Sequence, residues 1–178
     1  DLRLITAVAD ARPDWQVVMV GPVVGIEPAS LPQRPNLHWL GPQPYAVLPA
    51  LLAGWDVAMI PFVNNVSTRY CTPAQALEYL AGEKPVVSTP ISDVISLYGN
   101  AVMIADGKND FIAACETVLQ ENAAARCRRV LEAILVVSTN SWRRSADEVH
   151  RLLMAVKMQA SANASEPPAE EAARHATA

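Results

Sequence analysis

The stretch Thr72-Pro-Ala-Gln-Ala-Leu-Glu-Tyr-Leu-Ala-Gly-Glu-Lys-Pro-Val-Val-Ser-Thr89 decides the fold. Pro73 at a first helical position predicts a helix through Leu80. Pro85-Val-Val-Ser88, directly after it, is a short apolar run without polar alternation, the pattern of a strand covered on both faces. The same alternation of strand and helix extends outward. Gln16–Val20, Asn36–Leu40, Trp55–Ile60 and Ala101–Ile104 are further short apolar runs, and Gly21, Gly41 and Pro61 end the first three. Between them, Leu2, Leu4, Ile5, Val8 and Ala9 form a helical stripe closed by Pro13-Asp14, and Tyr45–Ala53 suits a short helix. The expected fold is α/β: a doubly wound, Rossmann-like parallel sheet with helices on both faces.

The carboxyl-terminal part is expected to be helical. Phe111, Ile112, Cys115, Val118 and Leu119 lie at helical spacing, as do Val130, Leu131, Ile134 and Leu135. A last helix is expected to start at Ser141 as N-cap, with an Asp147–Arg151 pair along it. From Gln159 to Ala178 there is no Leu, Ile, Val, Phe, Tyr or Trp, so residues 159–178 are expected as a disordered tail behind a domain at 1–158.

Composition bounds the function. The chain has 178 residues, 51% apolar and 18% charged, with mean hydropathy +0.15, which suits one domain with a sizeable core. A net charge of −4 and a pI near 5.3 leave no electrostatic footprint for nucleic acid. No apolar run reaches the roughly 18 residues of a membrane span. Cys71, Cys115 and Cys127 are far apart and form no C-x-x-C pair, which fits a reducing compartment. With no basic-then-apolar leader after Asp1, a cytoplasmic location is expected. Residues 126–157 hold 7 basic against 3 acidic residues, while those before are net acidic. That basic segment suits either a solvated helix face or peripheral contact with anionic lipid at the inner membrane face.

In open α/β sheets ligands bind beyond the carboxyl ends of the strands. The richest such loop is Pro61–Pro73, which carries Arg69 and runs into a helix start. A helix N-terminus is an anion site, so the N–H groups of Ala74 and Gln75 would face a phosphate, with Thr72 as cap and Arg69 nearby. Glu78, about a turn further on, is spaced for sugar hydroxyls. No Asp-x-Asp or His cluster suggests a metal, and no cofactor is expected. Gly21-Pro-Val-Val-Gly25 is not a G-x-G-x-x-G fingerprint, and there is no P-loop lysine.

Thr72–Thr89 resembles the donor-site segment of nucleotide-sugar glycosyltransferases of GT-B architecture. Many bacterial members carry Pro-x-Lys-x-x-Glu-Tyr-x-Ala followed by Gly-Lys-Pro-Val-Val. Ala9–Trp15, Val20-Gly-Pro22, Leu31-Pro32, Pro35-Asn36, Leu40-Gly41, Asp56, Pro61-Phe62 and Asn140–Trp142 follow in the expected order. Over residues 1–155 the chain is similar to the C-terminal, donor-binding half of a retaining, group 1 enzyme. The resemblance implies that Glu78 holds the ribose hydroxyls, that Pro73, Ala74 and Gln75 meet the diphosphate, and that Gly21, Pro22 and Gly41 border the nucleotide. It also implies that the first strand, its glycine-bearing loop and the acceptor-binding half would precede Asp1. Two positions depart from the pattern: Gln75 stands where many relatives have Lys, and Tyr70 where distant relatives have Glu.

The implied reaction moves a sugar from a nucleotide-diphosphate sugar to a glycan or lipid-linked acceptor, with this fragment inactive alone. The alternative is a non-catalytic nucleotide-sugar binding or assembly module beside a partner chain. Other polar residues are expected in structural roles. His38 reads as a hydrogen-bonded core histidine, Tyr70 and Tyr79 as packing residues, and Asp93 as a helix N-cap. Cys71 lacks a local base that would make it a nucleophile.

Overall fold

A computed structural model describes residues 1–69 and 71–164. Its helices are α1 (Leu2–Ala11), α2 (Leu48–Ala53), α3 (Val66–Arg69), α4 (Ala74–Ala81), α5 (Ser92–Tyr98), α6 (Lys108–Leu119), α7 (Ala123–Thr139) and α8 (Trp142–Ala164). The strands are β1 (Val17–Met19), β2 (Leu37–Trp39), β3 (Ala58–Ile60), β4 (Val86–Ser88) and β5 (Val102–Ile104). All five lie where the apolar runs predict them. Every strand pair is parallel, in two ladders, β1–β2 and β3–β4–β5, with Val17 opposite Leu37 and Val86 opposite both Ala58 and Val102.

The ladders carry a core on each face. On one, Leu4, Ile5, Val8 and Ala9 of α1 and Phe111, Ala114, Cys115 and Val118 of α6 pack with Val17, Leu37 and Val87. On the other, Ala76 and Leu80 of α4, Val94 and Tyr98 of α5 and Ala133 of α7 pack with Ala58, Ile60, Val86 and Val102. Neighbouring Val86 and Val87 therefore serve opposite cores, as the period of two in a strand requires.

Polar side chains bind the connections. Buried Asn36 donates through Nδ2 to the carbonyls of Ala9, Arg12 and Trp15, each at 3.0 Å, and so fastens the end of α1 and the turn into β1. Lys84 Nζ donates to Ala53 O and Trp55 O, both at 2.8 Å, tying the α4–β4 turn to the exit of α2. The end of α4 is a Schellman motif: Glu83 N donates to Leu80 O and Lys84 N to Tyr79 O, each at 3.0 Å. The left-handed residue of that motif is Glu83, with φ 56°, and not the glycine before it. A Cβ at Gly82 would lie 2.6 Å from Leu52 Cδ2, so the end of that side chain would have to turn aside. Glu83 O accepts from Arg129, whose guanidinium also pairs with Glu121 at 2.9 Å.

The chain divides into units at 1–138 and 139–178. In the second, Ser141 Oγ accepts from Arg144 N at 3.2 Å, the expected N-cap. Arg151 pairs with Glu148, three residues back, instead of with Asp147, because Glu148 has the longer reach. That contact holds the exposed Glu148 carboxyl below its usual range. Leu153, Val156 and Met158 of α8 are exposed. The helix continues to Ala164, past the compositional boundary at Gln159, while 165–178 and Tyr70 lie outside the described residues.

Two stability changes are expected. Asn36→Ala leaves three carbonyls without their donor and should lower unfolding free energy by about 1–3 kcal/mol, with an unchanged urea slope. Glu83→Gly removes the Cβ cost of the left-handed conformation while keeping the carbonyl that Arg129 binds. It should raise the denaturation midpoint, by the equivalent of about 0.5–1 kcal/mol.

Candidate functional site

The carboxyl ends of the parallel strands converge with the amino end of α4, because a helix that returns between parallel strands begins where the preceding strand finishes. In the β1–β2 ladder, Gly21 N donates to Gly41 O at 2.9 Å, so the two glycine loops lie side by side. Their φ angles, 137° and 65°, are glycine conformations, and a Cβ at either would meet nothing within 4 Å. Pro22 is exposed beside them. In the other ladder, Thr89 N donates to Ile60 O and Thr89 Oγ1 to Phe62 O at 2.9 Å, which holds the start of the Pro61–Pro73 loop against the end of β4.

The far end of that loop leads into α4. The structure corrects three expectations here. Pro73 is the N-cap and Ala74 the first helical residue, and no side chain caps the helix. Thr72 does not cap it, because its Oγ1 donates to Asp93 Oδ2. Asp93 in turn is no N-cap: α5 starts after Ile91, and Asp93 lies in its first turn, turned to Thr72. Uncapped, α4 presents its first N–H groups outward; the first donor bonding back is Ala76 N, to Pro73 O at 3.1 Å.

Positions 74, 75 and 78 share one helical face, and Ala74, Gln75 and Glu78 are all exposed, while Pro73, Ala76 and Leu80 on the opposite face are buried. Among the described residues, neither Gln75 nor Glu78 makes a side-chain hydrogen bond. A helix amino end with a glutamate one turn along can receive an anion at the tip and hydroxyl groups beside it. Arg69 closes α3, and its side chain lies outside what is described, as does Tyr70.

The neighbouring groups are structural. Tyr79 packs edge-on to Trp55, with ring centroids 5.8 Å apart, and burial, reinforced by the Glu78 charge, pushes its hydroxyl up. His38 is half-buried and bonds Gln16 at 2.7 Å, as expected of a satisfied histidine. Burial pushes the Cys115 thiol up to about 12, which suits core packing and not nucleophilic chemistry.

Neither of two clefts in the first unit includes Glu78, Gln75, Ala74, Thr72, Gly21, Pro22 or Gly41. The smaller, about 250 Å³, lies at the same strand ends, among Asp1, Arg3, Asn64, Thr89, Asp106 and Lys108. Sequence reasoning missed it, since its residues come from four segments far apart in the chain; the one local signal is Gly107, with φ 85°, before α6. The larger, about 590 Å³, lies between β1 and β3.

Comparison with known proteins gives the family and the fold. The family model "Glycosyl transferases group 1" matches residues 2–132. TuaH of Bacillus subtilis (strain 168), whose name places it among teichuronic acid biosynthesis glycosyltransferases, is 30% identical over 128 residues, covering 68% of this chain and 32% of TuaH. Anabaena HepE, solved with UDP and glucose, superposes with a TM-score of 0.67 at 16% identity, over 85% of this chain and 43% of HepE. The α,α-trehalose 6-phosphate synthase of Burkholderia multivorans gives 0.69 at 14% identity, over 93% and 41%. The chain thus spans about a third of the curated relative and less than half of each solved structure, matching the C-terminal portion of GT-B enzymes. With 131 of its 178 residues under the family model, the chain belongs to the group 1 glycosyltransferases.

Proposed function

We propose that this chain is the donor-binding domain of an enzyme that moves a sugar from a nucleotide-diphosphate sugar to a glycan or lipid-linked acceptor. The observation that carries this reading is the uncapped amino end of α4 with Gln75 and Glu78 exposed and uncommitted on one face. In this reading Glu78 accepts hydrogen bonds from the ribose hydroxyls, and the N–H groups of Ala74 and Gln75 receive the diphosphate. Those dipoles stabilise the negative charge that grows on the leaving diphosphate as the glycosidic bond to it breaks. Gln75 brings no cation, and Lys84 is committed to the carbonyls of Ala53 and Trp55. Arg69 is therefore the cation of this stretch assigned to the phosphates. Gly21, Pro22 and Gly41 border the nucleotide, where glycine lets a ligand approach the backbone. Uridine nucleotides are the first donors to test, since HepE is solved with UDP-glucose. No helix among the described residues is long and apolar enough to cross a membrane. The arginines and exposed apolar residues of α8 suit peripheral contact with anionic lipid, where a lipid-linked acceptor would be presented.

Glu78→Ala tests the reading. Hydrogen bonds to a charged group are worth roughly 1.5–3 kcal/mol, so affinity for UDP should fall about 10- to 100-fold by calorimetry, with Glu78→Gln losing less. Pyrophosphate, which lacks ribose, should bind both variants as it binds the parent. Equal losses for both ligands would indicate a collapsed site, and no loss for either would remove Glu78 from it.

A second expectation concerns turnover. Positioning two reactants supplies several kcal/mol of a transfer barrier and needs an acceptor site as well as a donor site. The 178-residue chain alone should bind nucleotide and transfer no sugar from UDP-glucose to water or glycan in a radiolabel assay. Efficient transfer would show that it is more than a donor domain.

A further inference from the structure

Exposed apolar side chains are unevenly divided between the two edges of the sheet. The turns that enter the strands, at 12–16, 33–36, 54–57, 82–85 and 99–101, expose no Val, Leu, Ile, Met, Phe, Tyr or Trp. They carry Arg12, Asp14, Arg34, Asp56, Glu83 and Lys84, the composition of a solvated edge. The segments that leave β1, β2 and β3 are the reverse. Residues 20–26, 40–47 and 61–68 contain no Asp, Glu, Lys or Arg. Val24 and Ile26 are exposed after β1, and Leu40, Tyr45 and Val47 after β2. Val63 and Val66 are exposed after β3. Exposure reaches 81% at Val24, 76% at Tyr45 and 79% at Val66, so these side chains are not the fringe of a core.

Several polar side chains of these segments turn to their own loops. Gln43 Nε2 donates to Leu40 O at 3.0 Å. Asn65 Oδ1 accepts from Thr68 N at 3.0 Å, and Thr68 Oγ1 donates to Val63 O. These bonds hold the loop while Val63 and Val66 stay outward. Apolar side chains scattered singly over a surface need no explanation. Here they gather on the strand exits and are absent from the strand entries. Depletion of charge together with exposed apolar groups is the composition of a contact surface.

The position of the surface and its chemistry point to one occupant. The loops after β1 and β2 are joined through Gly21 N and Gly41 O, and the loop after β3 runs on into the tip of α4. In the donor reading above, the departing diphosphate sits at that tip, so an acceptor that reaches it passes these loops. A glycan needs hydrogen-bonding side chains and aromatic faces along its path. This path offers aliphatic side chains and a single aromatic ring, Tyr45. A hydrocarbon chain needs no polar partner and gains from covering such a surface. We propose that the acceptor is lipid-linked, with its hydrocarbon chain against the uncharged loops leaving β1, β2 and β3 and its polar end toward the α4 tip. This rests on the donor reading and selects one of its two acceptor classes.

The test compares octyl glucoside below its micelle concentration with methyl glucoside, which has the same sugar without the chain, and with maltotetraose as a glycan. Each is titrated into the 178-residue chain carrying isotope-labelled valine methyl groups, read by NMR. Octyl glucoside should bind at least about tenfold tighter than methyl glucoside and shift Val24, Val47, Val63 and Val66. Val63→Thr with Val66→Thr keeps the shape of both exposed side chains and adds a hydroxyl to each. It should weaken octyl glucoside at least about fivefold, with circular dichroism unchanged. Equal affinity for the two glucosides would overturn the proposal, as would an undiminished affinity in the double variant. Shifts confined to valines of α7 and α8 would overturn it too, since the chain would then lie elsewhere. So would equal shifts of the four valines by maltotetraose, which would make the surface a glycan site. Shifts that follow protein concentration without any probe would make a second copy the occupant. The donor reading is tested on UDP with Glu78→Ala, a variant that should bind octyl glucoside as the parent does, so failure of either reading is a separate result.

Discussion

The structure depends on a strand of three residues that must be apolar in both directions. Val86 and Val87 are each fully buried, one under α4, α5 and α7 and the other under α1 and α6. Only a parallel strand in the middle of a layered α/β fold has this requirement, and it passes outward by pairing: β4 sets the registers of both β3 and β5. Polar side chains are thereby kept away from Val86 and Val87 and begin at the end of β4. Ser88 and Thr89, where β4 stops, are the first buried polar side chains along it, and both bond to carbonyls of the same edge.

Across both edges of the sheet, the division between structural and available polar groups is unequal. Asn36, Lys84, Thr89 and Arg129 all donate to main-chain carbonyls, and Thr72 and Asp93 are turned to one another. Each of these could have been counted as a ligand-binding residue on chemistry alone. Removing them from the inventory leaves, at the carboxyl ends of the strands, Gln75 and Glu78 on α4, next to N–H groups that a helix cannot satisfy internally, together with the cleft residues Asn64, Asp106 and Lys108. The proposed donor site rests on the side chains that face outward at the helix tip.

The sequence carried the fold because its signal is local. Four valine- or isoleucine-containing runs, each ended by glycine, proline or a polar pair, lie on β1, β3, β4 and β5, and Asn36–Leu40 lies on β2. Features that depend on a second segment were not legible. Pro73 predicts a helix through Leu80, but the left-handed residue that ends it is Glu83, whose carbonyl accepts from Arg129, 46 positions on. Thr72 and Asp93 each read as caps because capping is the local use of such side chains, while 21 residues of intervening chain bring them together. Glu78 was singled out through its motif, and the structure leaves it exposed on α4. The cleft around Asn64, Thr89 and Lys108 was not, having no motif at all.

The interruption in the sheet is a different kind of hidden feature, because every strand flanking it was foreseen. What the apolar runs do not encode is which strands are neighbours. Pairing order is a property of crossovers: α1 carries the chain from Pro61 to β1, across the gap, and the 18 residues between β2 and β3 carry it back past β1 to the far side. The core beneath α1 and α6 runs from Leu37 and Val17 to Val87, so one apolar layer packs against strands of both ladders.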